Sequence, residues 1–168
     1  MSPEREHGSK ASELHIDPLP DIHVIWVRIA CGTSGDDAHY HPQQLRRAIV
    51  EAKRLRKYFA GDFYPLTEES SDERAWCILQ YDRPEQGDGM VIAFRRPRSP
   101  YPAFVLEELQ GIDPAARYHV TWSTDYTPGK PQLLTGKQLQ AARITIDQRP
   151  GSVVMEYRKV GAKAERGE

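Results

Sequence analysis

Cysteine is nearly absent from this chain: Cys31 and Cys77 are the only two in 168 residues. Neither belongs to a CxxC pair, so the sequence offers no zinc or redox motif. Cys77 falls inside an apolar strand pattern and reads as a small buried side chain. A charge excess is missing too. Lys and Arg number 23 against 24 Asp and Glu, a formal net charge of −1. That balance argues against a general binder of nucleic acid or anionic membrane, which carries a basic excess. No apolar run approaches the ~18 residues of a membrane span. The N-terminus, "MSPEREHGSK", lacks the apolar core of a secretory signal. The expectation is a soluble, cytoplasmic chain with no nucleic acid or membrane partner and no cofactor.

Motifs for chemistry are equally scarce. Gly32 and Gly35 make no phosphate loop, because the Lys-Ser/Thr that follows such glycines is missing. Ser34 and Ser70 have no nucleophile-elbow context. "GDDAHYHP" carries Asp36, Asp37, His39 and His41. An HxH pair beside acids is a divalent-metal pattern, but no distant third ligand accompanies it and the segment reads as a loop, so no metal site is assigned.

What the chain does have is turn residues: 13 prolines and 12 glycines. They point to a β-rich fold. Residues 1–20 are polar and proline-bearing and read as disordered, as does the tail 161–168. "DIHVIWVRIAC", Asp21 to Cys31, reads as a strand covered on both faces. "HPQQLRRAIVEAKRLRKYF" reads as a helix, with Pro42 in its first turn. Leu45, Ala48, Ile49, Ala52 and Leu55 form its apolar stripe. Arg46, Arg47, Lys53, Arg54, Arg56 and Lys57 form a solvated basic face, opposed only by Glu51.

From Ala75 onward the period changes to two. Trp76, Ile78 and Gln80 alternate with Cys77, Leu79 and Tyr81. Met90, Ile92 and Phe94 repeat the spacing, as do Tyr118, Val120 and Trp122, then Val153, Met155 and Tyr157. Shorter segments hold Phe104 with Leu106 and Ile144 with Ile146. Thr135 to Ala142 reads as a short helical turn between strands. Such strands, divided by Gly, Pro and Asp turns, predict an antiparallel sandwich or barrel.

"RPEQGDG" and "RRPRSPYP" read as turns, with Asp82 and Asp88 in the first and Arg95, Arg96 and Arg98 as a charged rim at the second. Sugar cleavage needs a pair of carboxylates flanking one bond. Asp62, Asp72, Asp82, Glu85, Asp88, Glu107, Glu108 and Asp113 are available, all in turns or at solvent-facing strand positions, with no two marked as convergent. Trp76, Tyr101, Trp122 and Tyr126 are candidate sugar platforms, of which Trp76 and Trp122 fall on apolar strand faces and read as core.

The order of segments adds to this. "YFAGDFYPLT", "AWCILQYDRPEQGDGMVIAFRRPRSP", "LQGIDPAARYHV" and "LLTGKQLQAARITI" occur in succession. The stretch Leu45 to Val160 resembles the C-terminal end of glycoside hydrolase family 36, the bacterial-type alpha-galactosidases (melibiases). The resemblance implies a C-terminal β-sandwich over residues 61–160, following a residual strand-helix segment, residues 21–60, similar to the end of a catalytic barrel. Such barrels need ~250 residues, and only residues 1–61 precede Asp62. The family's lysine-tryptophan-aspartate nucleophile motif is absent. "ACGTSGDD" is similar to its Cys-Ser-Gly-Gly acid-base segment but does not align with it, so no catalytic residue is carried over. The expected function is that of a stand-alone or truncated accessory domain, inactive by itself. The alternatives are a carbohydrate-binding module and one part of an alpha-galactosidase whose barrel is a separate chain. The expected contacts are a barrel subunit or another copy, bound through residues 21–58, and weakly a sugar.

Overall fold

The computed structural model describes residues 42–162. Helix α1 (Pro42–Leu55) runs into a 3-10 helix (Arg56–Ala60). Eight strands follow: β1 (Asp62–Pro65), β2 (Trp76–Arg83), β3 (Asp88–Arg95), β4 (Ala103–Val105), β5 (Arg117–Ser123), β6 (Gln132–Thr135), β7 (Arg143–Thr145) and β8 (Gly151–Lys159). A short helix α2 (Gly136–Gln140) stands between β6 and β7. It starts with a capping box: the Thr135 hydroxyl accepts from the Gln138 N–H, and the Gln138 side chain accepts from the Thr135 N–H. The expected helical turn is therefore present. The expected strand Asp21 to Cys31 and the acids and histidines Asp36, Asp37, His39 and His41 lie outside the described residues.

The strands form a six-stranded antiparallel sheet in the order β1-β2-β3-β8-β5-β6 and a two-stranded sheet of β4 and β7. The mainly β, antiparallel architecture is the one the period-2 segments predict. Two strands escape the sequence pattern. β1 and β6 are edge strands whose residues are exposed or half-buried, so no alternation of buried and exposed positions marks them.

The large sheet is covered on both faces. On one side Ile78, Val91, Ala93, Val120, Val153 and Met155 meet Leu106, Leu109, Leu139, Ile144 and Ile146 from the smaller layer. On the other side Met90, Ile92, Phe94 and Val154 are capped by Leu55 and Tyr58. Every residue of β3 is buried as a result. Alternation along β3 sorts side chains between two cores and does not separate core from solvent.

This layering corrects three expectations. Asp82 and Asp88 are strand residues, not turn residues, and each is only 5 % exposed. Arg95 is not a solvated rim: it is 5 % exposed, and its guanidinium donates to the carbonyls of Ile146 (2.7 Å), Asp147 (3.0 Å) and Ser99 (3.1 Å). On α1 the stripe is rotated. Ala48, Glu51 and Leu55 face the sheet, whereas Ile49 is 43 % exposed. Glu51 can face inward because Arg54 reaches it at 3.5 Å.

Candidate functional site

The alternation of β2 sends Gln80 and Asp82 toward the smaller layer and Arg83 toward α1. Each direction ends in a buried polar cluster.

In the first cluster Asp82 pairs with Gly89 of β3, and Gly89 pairs with Tyr157 of β8. The Tyr157 ring crosses above Gly89 and its hydroxyl donates to Asp82 Oδ1 at 2.6 Å. A Cβ at position 89 would collide with Tyr157 Oη and Cζ, so the crossing requires glycine. Gln80 Nε2 donates to the same hydroxyl at 2.7 Å and to the Gln110 carbonyl at 2.8 Å. Gln80 Oε1 accepts from the Gln110 N–H at 2.9 Å. Gly111, with φ of 71°, closes the cluster over Asp82 Oδ2. Burial pushes the Asp82 carboxyl above the usual carboxylate range, the charges of Asp62 and Asp88 add to this, and the Tyr157 hydrogen bond opposes it. Burial, together with Asp82, also raises the Tyr157 phenol.

In the second cluster Arg83 forks onto Asp88, Nε to Oδ1 and Nη2 to Oδ2, both at 2.8 Å. Tyr58 lies against this pair, with the Arg83 guanidinium carbon 5.3 Å from its ring centre. Burial and the Asp88 charge lift the Tyr58 phenol to about 12. Lys57 Nζ stands 3.7 Å from Asp88. On the same face, Glu156 accepts from the Tyr58 hydroxyl at 3.3 Å and is ion-paired with Arg54.

Neither cluster places two carboxylates around a substrate space. Asp82 and Asp88 project from opposite faces of the sheet, because Asp82 pairs with Gly89 while Asp88 pairs with Arg83. The structure does bring Asp62 opposite Asp82, across β1 and β2. Asp82 is nevertheless committed to Tyr157 and closed over by Gly111. The remaining candidate carboxylates are exposed, as expected. Asp72 is chelated by Arg74 and Asp113 by the Ala115 N–H and Lys159, and each carboxyl is lowered by those hydrogen bonds. Among the described residues no group of three or more His, Cys, Asp or Glu is placed to hold a metal, and no helix is long and apolar enough to cross a membrane.

An open groove of about 880 Å³ lies beyond the end of β1, where β2 has no strand partner on the side away from β3. Leu66, Leu79, Phe104 and Leu106 form part of its wall, with Glu68, Glu69, Glu107 and Glu108 among its lining residues. Cys77 lines it too and is half-buried, where full burial was expected. The aromatic candidates separate. Trp76 is buried, with Nε1 donating to the Tyr101 carbonyl at 3.2 Å. Trp122 packs half-buried against the core and Tyr126 is half-buried, while Tyr101 is 72 % exposed. None of the four lines the groove.

The arrangement defines a class: a mainly β, antiparallel domain whose fold is similar to that of part of two solved alpha-galactosidases. The galactosidase domain of an alpha-galactosidase-sucrose kinase is similar over 73 % of this chain, with 16 % identity and a TM-score of 0.57. The alpha-galactosidase from Lactobacillus brevis is similar over 79 %, with 15 % identity and a TM-score of 0.53. A family 36 alpha-galactosidase from Geobacillus stearothermophilus is similar over 74 %, with 19 % identity and a TM-score of 0.49. The chain spans 17 %, 19 % and 17 % of those proteins, respectively. No protein-family profile and no curated protein sequence matches it.

Proposed function

We propose that the chain serves as a non-catalytic accessory domain of an alpha-galactosidase-like glycoside hydrolase, stabilising, covering or assembling the catalytic part. The observation that carries this reading is the fold likeness to less than a fifth of each galactosidase. The fate of the buried carboxylates supports it. Asp82 and Asp88 are held by Tyr157 and Arg83, inside the domain and on opposite faces of a sheet. Inverting and retaining glycosidases need two carboxyl groups facing one accessible bond.

The test is turnover of a chromogenic alpha-galactoside by the purified chain. No hydrolysis above a heat-killed control is expected. Robust turnover that disappears on mutating one of the chain's own carboxylates would refute the proposal. The same likeness favours a second reading, in which the chain completes an alpha-galactosidase with a separately encoded barrel. Activity that appears only on mixing with a barrel chain would select it. Sugar binding without catalysis would rest on Tyr101, the most exposed of the four aromatic candidates, and a glycan array that loses its signal in Tyr101→Ala would select that role.

A further inference from the structure

Two surfaces of the described residues match each other in charge and apolar content, and they cannot meet within one molecule. The first is the outer face of α1. Ala48, Glu51 and Leu55 point to the sheet, so Arg46, Val50 and Lys53 point away from it at helical spacing. Ile49 and Val50 are 43 % and 66 % exposed. Arg46, Arg47, Lys53 and Arg56 surround them, all exposed.

The second surface is the groove beside β2. Phe63 and Val105 are 52 % and 41 % exposed there. Glu68, Glu69, Glu107 and Glu108 rim it. Among the described residues, none of these four acids and none of Arg46, Arg47, Lys53 and Arg56 holds a salt bridge. Arg96 also lines the groove, but its guanidinium is turned onto the Ser70 and Asp72 carbonyls, so the glutamates outnumber it four to one and leave the rim acidic. Half-exposed apolar side chains beside an excess of unpaired charge are the surface a complementary partner covers.

We propose that a second copy of this chain docks the outer face of its α1 into the groove beside β2. Val50 and Ile49 enter the apolar wall near Phe63 and Val105, and the basic ring of the helix meets the glutamates. A copy cannot fill its own groove, because Leu55 and Tyr58 anchor the helix to the sheet with that basic face outward. The contact therefore pairs unlike patches, the helix of one copy with the groove of the other. This inference does not depend on the glycoside hydrolase reading.

Sedimentation velocity of the full chain tests it. One helix face in one groove is a small interface, so association should grow from about ten to a few hundred micromolar. It should weaken in about 1 M salt, where screening acts within ~3 Å. Glu107→Lys with Glu108→Lys should weaken it roughly tenfold, and so should Arg46→Glu with Lys53→Glu. An equimolar mixture of the two reversed chains should restore it, since acidic helix then faces basic groove. All four side chains are exposed, so circular dichroism should match the parent. Should a reversed chain lose its β spectrum, the paired Gln variants give the same reading without the restoration arm. A monomer throughout, association indifferent to either reversal, or a mixture that stays monomeric would overturn the proposal. So would a monomer that binds only a barrel chain.

Discussion

Replacing Tyr157 by Phe removes one oxygen from the centre of the domain and leaves the ring that crosses Gly89. The lost hydroxyl donates to Asp82 Oδ1 at 2.6 Å, and Asp82 is 5 % exposed, so water cannot replace it readily. A hydrogen bond to a charged group contributes about 1.5–3 kcal/mol, and one between neutral groups about 0.5–1.5 kcal/mol. Gln80 loses little, because its Nε2 still reaches the Gln110 carbonyl at 2.8 Å. The expected loss near neutral pH is therefore about 2–3 kcal/mol, a fall in Tm of about 5–10 °C for a chain of this size. The pH dependence follows from Asp82. Its carboxyl lies above the unfolded value of 3.8, chiefly through burial. A carboxyl raised on folding binds its proton more tightly in the native state. Its contribution to stability is thus complete below the unfolded value and is lost as pH rises through the folded one. Tyr157 holds that shift down, so Tyr157→Phe raises the carboxyl further and is relieved by acid. Urea unfolding at a series of pH values should show the gap between parent and variant shrinking toward about 1 kcal/mol as Asp82 is protonated. A gap that stays constant as pH falls from neutral to below the unfolded value of 3.8, or one that widens in acid, would refute an ionised Asp82 held by Tyr157.

The other buried charges give equally definite outcomes. Arg95→Ala removes the donor from the buried Ile146 and Ser99 carbonyls and the part-buried Asp147 carbonyl and should cost about 2–4 kcal/mol, comparable with the ~3–5 kcal/mol expected for Phe94→Ala. A loss below ~1 kcal/mol in urea unfolding would return Arg95 to a solvated rim. Arg83→Ala removes the two-pronged partner of Asp88 and should cost about 3–5 kcal/mol, while Arg83→Met combined with Asp88→Leu should recover most of it. Additive losses in that double mutant would show that the two side chains are not coupled.

The alternating runs Trp76–Tyr81, Tyr118–Trp122 and Val153–Tyr157 made the strands β2, β5 and β8 legible, because period-2 spacing is a property of the chain itself. The Gly- and Pro-rich breaks made the antiparallel class legible, and Thr135–Ala142 was legible as the helical turn that contains α2, since turns are local backbone chemistry. The neutral charge balance and lack of motifs are likewise read from composition alone.

The roles of the charged residues were not readable in that way. Asp82, Asp88 and Arg95 carry the same local signature as solvated turn residues. What buries them is a second layer on each face: the 106–112 loop and β7 on one side, and α1 with the 3-10 helix on the other. Nor could spacing reveal that Tyr157 reaches Asp82, 75 residues away in sequence, over a glycine on the strand between them. Burial of a polar group depends on which distant segment covers it, and its partner is whatever that packing brings within hydrogen-bond reach. The sequence by itself therefore determined the strands and turns, whose rules act between near neighbours. Only the tertiary structure decided which carboxylates lie inside, which side chain holds each one, and which groove stays open, because those depend on layers that meet only after the chain has folded.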